Sequence, residues 1–226
     1  TGDPVITDNQ PGDDTWRNAP GTLYDVDFQG ACGANLNYIQ YTIWSAPGMG
    51  AGGGVELVPW TTFAGPTLGT PAYTADWPIR PADFAAARQG TNWVSVRLFD
   101  VNGTSKTATD VFYFKKDTVP PTIFSAGIDE SSDFLWVSPA DGKLYFGNGM
   151  LGAEPLTVSG TATDTLSGLA RAAFSTAFGD SPADDPTAAD WAADYDIDAS
   201  DTTPDAITVT VFDAAGNSAA ATFESV

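Results

Sequence analysis

Apolar residues in this chain recur mostly at every second position, in short runs closed by glycine, proline, asparagine or aspartate. That period belongs to half-buried β-strands rather than helices. Val26, Phe28, Gly30 and Cys32 alternate with Asp25, Asp27, Gln29 and Ala31, predicting a strand over 25–32. Ile39, Tyr41 and Ile43 form one face of a strand over 38–44, and Val94, Val96 and Leu98 the inward face of another over 93–99. Further strands are predicted over 3–6, where a proline suits an edge, and over 55–60 and 106–114. Gln10 to Gly21 and Pro66 to Ala75 read as irregular, and Gly48 to Gly54 as a loop. Only 81–90 carries helix signals: Pro81 early, Asp83 in the first turn, Arg88 in the last, Gly90 just beyond.

The second half restates the first. Leu156, Val158, Gly160 and Ala162 repeat Val26, Phe28, Gly30 and Cys32 at an offset of 130. Ala189-Asp190-Trp191 repeats Ala75-Asp76-Trp77 at an offset of 114. Ile207, Val209, Val211, Phe212, Asp213 and Gly216 repeat Val94, Val96, Leu98, Phe99, Asp100 and Gly103 at 113. The falling offset assigns a Gly- and Pro-rich insertion to the first copy. Strands over 134–137 and 144–146 form a hairpin that the first copy lacks. Between the copies stands Asp117-Thr118-Val119-Pro120-Pro121, whose two prolines fix φ and favour a stiff, extended linker. The expected organisation is all-β: residues 1–118 and 119–226 as two tandem Ig-like antiparallel β-sandwiches.

At this point a family resemblance can be stated. Val158-Ser-Gly-Thr-Ala-Thr-Asp164-Thr-Leu-Ser-Gly168-Leu169, then Val209-Thr-Val-Phe-Asp213-Ala-Ala-Gly-Asn217, resembles the bacterial Ig-like repeats of large surface and adhesin-type proteins. Asp117-Thr-Val-Pro-Pro121 is similar to the linker between such repeats. The resemblance implies an extracellular, prokaryotic structural or adhesive module. Its partners would be neighbouring repeats, identical subunits, or a glycan or other cell-surface group. An abrupt start at Thr1-Gly2-Asp3 suggests an excised piece of something larger.

Charge narrows the chemistry. The 29 acids and 9 bases give a net charge of −20, with 17 acids and 2 bases falling after residue 118. Such a surface repels phosphate backbones and anionic lipid, so nucleic-acid binding is not expected, nor is membrane insertion, since no long apolar run exists. Histidine is absent, so no Ser-His-Asp or Cys-His pair and no His-containing metal site can form. No catalysis is expected. Cys32 cannot pair within the chain and reads as a small core residue.

Two candidate sites remain. At one end of an Ig-type sandwich the B–C and F–G loops meet the incoming strand. This would gather Asp117, Asp164, Asp213 and Asn217, an oxygen set suited to Ca²⁺, or else each Asp merely caps its own turn. The first copy keeps Asp3 and Asp100 but has Ala34 in place of Asp164, so a weaker site or none is expected there. Asp194-Tyr195-Asp196-Ile197-Asp198 lacks the glycine of an EF-hand loop and reads as alternating acids on an exposed strand face. The second candidate is a sugar-stacking surface of Trp16, Trp60, Tyr73 and Trp77, which would suit a carbohydrate-binding accessory module of a secreted enzyme; the alternative is that these rings pack the sandwich, which the repeat of Asp76-Trp77 as Asp190-Trp191 favours for Trp77. A third organisation is a filament subunit donating the strand from Pro4 to Thr7 to its neighbour.

Overall fold

The computed structural model describes residues 2–10, 12–147 and 152–226. The chain divides into two compact units, Thr1–Thr118 and Val119–Val226. Both are β-sandwiches.

In the first unit the strands are β1 (Val5–Asp8), β2 (Trp16–Arg17), β3 (Leu23–Tyr24), β4 (Val26–Gln29), β5 (Leu36–Trp44), β6 (Glu56–Ala64), β7 (Ala72–Tyr73), β8 (Trp77–Pro78), β9 (Gly90–Asp100) and β10 (Ser105–Lys116), with a helix α1 (Pro81–Ala86) before β9. One sheet runs β1-β4-β7 and the other β2-β10-β9-β5-β6, with β3 and β8 paired separately. The central ladder explains the alternation. Ile39 pairs with Leu98, Tyr41 with Val96 and Ile43 with Val94, so both apolar sets share one face, and all six are fully buried. Phe28 on β4 closes the core from the opposite sheet.

Three local expectations fail here, each for a visible reason. The strand over 25–32 stops at Gln29, and Ala31–Gly33 forms a 3₁₀ turn. Gly30 packs so closely on the next loop that a Cβ would lie 2.1 Å from the Ala34 carbonyl oxygen, which turns the chain. Cys32 is therefore exposed at φ 52°, with the Gly2 amide donating to its sulfur at 3.0 Å, and is not a core residue. The helix ends at Ala86, so Arg88 lies beyond it. The cation at its end is instead Lys116, whose Nζ donates to the carbonyls of Phe84, Ala85 and Ala87 at 2.8, 3.0 and 2.8 Å. Beside these, the N-terminal edge strand pairs antiparallel with β4, Val5 with Gln29 and Asp8 with Val26.

In the second unit the strands are β11 (Thr122–Glu130), β12 (Leu135–Val137), β13 (Leu144–Phe146), β14 (Glu154–Thr163), β15 (Leu169–Phe174), β16 (Asp190–Ile197), β17 (Ala206–Asp213) and β18 (Ser218–Glu224). They form sheets β11-β14-β16 and β15-β17-β18 plus the hairpin β12-β13. Trp191, Ala193, Tyr195 and Ile197 point inward from β16, and Asp190, Asp194 and Asp196 outward. The acidic run is thus one face of a strand, and Thr157 donates across to Asp194 at 2.7 Å. Among the described residues no helix is long and apolar enough to cross a membrane.

Candidate metal centre

Asp164 follows the last residue of β14, in the loop leading to β15. Its Oδ1 accepts from the amides of Leu166 at 3.0 Å and Gly168 at 2.7 Å, which folds the loop back over the carboxylate. Gly168 supplies the left-handed φ of 80° that this return needs. Asp213 ends β17. Its Oδ1 accepts from the amides of Ala215 at 2.9 Å and Asn217 at 2.8 Å, and its Oδ2 from Asn217 Nδ2 at 2.7 Å. The side chain is 2% exposed.

These two turns are tied together. Leu169 pairs with Asp213, and the amide of Ala214 donates to the carbonyl of Gly168 at 2.8 Å. An oxygen of Asp164 and one of Asp213 consequently lie within 4.8 Å of each other. Two carboxylates that close repel, and the cost falls when amide donors or a cation sit beside them. Both capping and oxygen convergence are therefore realised, because a carboxylate that caps with one oxygen can still offer lone pairs elsewhere.

Asp117 stands in the first unit, just past β10, with its amide donating to the Arg17 carbonyl at 3.0 Å and its side chain fully buried. The corresponding end of the first unit differs. Asp100 makes the same turn as Asp213, accepting from the amides of Asn102 and Thr104 at 2.9 Å each, with Gly103 at φ 81°. Thr104 stands where Asn217 does, and Asp100 Oδ2 is buried with no hydrogen-bond partner. Asp3 is exposed, and among the described residues no group of three acids gathers at that end.

The proposed sugar surface does not assemble. Trp77 is 2% exposed and stacks on Phe63 at 4.1 Å and Tyr41 at 5.6 Å, so neither ring face is open. Tyr73 packs edge-on against Phe28 and Phe63. Trp16 is on β2 and Trp60 on β6, opposite edges of a five-stranded sheet, which separates them by roughly 19 Å. Arg97 covers Trp60 at 4.2 Å, and Lys115 lies 5.8 Å from the Trp16 ring. These rings plug the core or pair with cations of their own unit.

A polar cluster built on buried Tyr41 and Asp83 supports the first core and was not legible in the sequence. Tyr41 donates its hydroxyl to Asp83 Oδ2 and accepts from the Arg80 amide at 3.2 Å, while Arg80 Nε donates to Asp83 Oδ2 at 2.7 Å. Burial, then the hydrogen bond to Asp83, pushes the Tyr41 hydroxyl up to about 12. It stays protonated as a donor across the physiological range.

No family model matches the chain, and no curated protein matches it. Among solved structures, the fibronectin(III)-like modules of CbhA from Clostridium thermocellum align over 98% of this chain and 93% of theirs, at 16% identity and a TM-score of 0.41. A tetra-tandem repeat in the extending region of a large adhesion protein aligns over all of this chain at 13% identity and a TM-score of 0.30. The chain spans half the length of that repeat structure. The fold itself rests on the sheet order and registers of the two units: this is a pair of tandem β-sandwich modules.

Proposed function

We propose that the chain is a structural or adhesive segment of an extracellular surface protein, stiffened by Ca²⁺ where the two units join. The observation that carries this reading is the convergence of Asp164 and Asp213 at one end of the second unit, with Asn217 bound to Asp213. The linker enters at that same end, since Thr122 at the start of β11 pairs with Thr163, the neighbour of Asp164. Asp117, five residues earlier in the chain, would supply a third carboxylate, and Asn217 or backbone carbonyls further oxygens. That ligand class is what Ca²⁺ takes. An ion there would replace carboxylate repulsion with coordination and hold the two-proline linker to the loops, which suits a spacer or stalk.

The test is thermal unfolding of the whole chain in millimolar Ca²⁺ against excess chelator, with small-angle scattering on both samples. Ca²⁺ should raise the melting temperature and give a longer, stiffer particle, and Asp164→Ala should abolish both responses. If the response is absent, or survives Asp164→Ala unchanged, this site is refuted. The carboxylates are then turn caps only.

A further inference from the structure

The hairpin β12-β13 carries a second feature that folding does not demand. Leu135 and Leu144 face inward at 4% and 1% exposure and seal the second core. Alternation then sends Trp136 and Tyr145 outward. They are register partners, with ring centroids 5.4 Å apart and planes at 43°. Trp136 is 54% exposed. Tyr145 donates its hydroxyl to Asp141 at 3.3 Å, and hydrogen bonding from Ser138 helps hold that carboxyl below its usual range, so it is an anion at neutral pH.

The surrounding charge identifies what would cover these rings. The second unit has 17 acids and only two bases, Lys143 and Arg171. Both are taken, Lys143 by Glu224 at 2.7 Å and Arg171 by Asp184 at 2.6 Å. Elsewhere in the chain, outward rings lie under cations: Phe212 under Arg171 at 4.1 Å and Trp60 under Arg97 at 4.2 Å. Among the described residues no cation lies over Trp136. An open indole and a half-buried phenol beside ionised Asp141, in a unit of 17 acids and two bases, complement a guanidinium by cation–π attraction and by charge. The 43° tilt makes a wedge rather than the flat strip on which a sugar ring stacks.

We propose that the Trp136–Tyr145 face docks an arginine side chain of a basic segment on a partner protein. The proposal is independent of the Ca²⁺ reading and survives its failure. The test titrates acetyl-Gly-Arg-Gly-Arg-Gly-amide into the whole chain at roughly 150 mM salt, which screens the bulk charge, following tryptophan fluorescence and the indole N–H signals. The same titration uses the citrulline peptide, which keeps the shape and removes the charge. Trp136→Ala should weaken arginine-peptide binding by about fivefold or more, with the melting temperature held because the ring is exposed. The citrulline peptide should bind at least as poorly to the wild type. Asp164→Ala should bind as the wild type does. Equal binding by Trp136→Ala and wild type would assign the interaction to bulk acidity and overturn the proposal. So would equal binding of the citrulline peptide, no binding at millimolar peptide, or Trp136-dependent binding of a neutral oligosaccharide in its place.

Discussion

Trp191 lies directly over Gly160, its register partner, so that a Cβ on that glycine would fall 2.2 Å from indole Cζ2. The Ser125 carbonyl oxygen would sit 2.3 Å away on the other side. The glycine is thus the slot into which the largest core side chain of the second unit fits. Overpacking a filled core costs about 1–3 kcal/mol or more. Gly160→Ala is expected to lower stability by about 2–4 kcal/mol, whereas Gly127→Ala on the neighbouring β11, with nothing within 4 Å, should change it little. Urea unfolding of the two variants side by side checks this.

Asp213 and Asn217 make the corresponding argument for the loop end. Asp213 satisfies two amides and one side-chain amide from a buried position, so Asp213→Ala leaves those donors without acceptors. A loss of about 2–4 kcal/mol is expected. In chelator this loss should exceed that of Asp164→Ala, because Asp164 is half-buried whereas Asp213 is buried. Chemical denaturation in chelator separates the capping contribution from any metal.

Lys116 bears on the helix. Its ammonium serves three carbonyls at the end of α1 from a side chain on β10. Lys116→Met should fill the same space and leave those carbonyls unmet, lowering stability by about 2 kcal/mol. Lys115→Met, one position along, should cost under about 1 kcal/mol, since its bond to Asp14 is a surface ion pair. Melting curves of both variants distinguish them.

Tyr41 sets an alkaline limit. Its hydroxyl is pushed up to about 12 in the folded chain, against an ordinary value near 10 unfolded. A folded value above the unfolded one means the stabilisation is whole below about pH 10 and is lost as pH rises toward 12. Burial pushes the Tyr24 hydroxyl up as well, adding loss in the same direction. Unfolding of the first unit should therefore set in above about pH 10, and Tyr41→Phe should flatten that dependence while lowering stability at neutral pH. Tyrosinate absorbance against far-UV dichroism across pH 8–12 reads both.

The period-two alternation by itself determined the all-β class, the inward faces of β5 and β9, the exposed acidic face of β16, and the repeat, because alternate residues on a strand face opposite sides. Paired spacing also placed Asp164 and Asp213 on turns, since Asp before a glycine-bearing return is a local preference. What only the tertiary structure decided were matters of reach between distant segments. Cys32 leaves the core because Gly30 meets the Ala34 carbonyl, and Trp77 loses its open face to Phe63 and Tyr41. Lys116, not Arg88, closes the helix, because the carbonyls there face β10 rather than the helix's own next turn. Trp136 stays outside because Leu135 and Leu144 already fill the space beneath the hairpin. A sequence states which residues are apolar and at what spacing, but which of two apolar rings is covered depends on what the rest of the chain places above it.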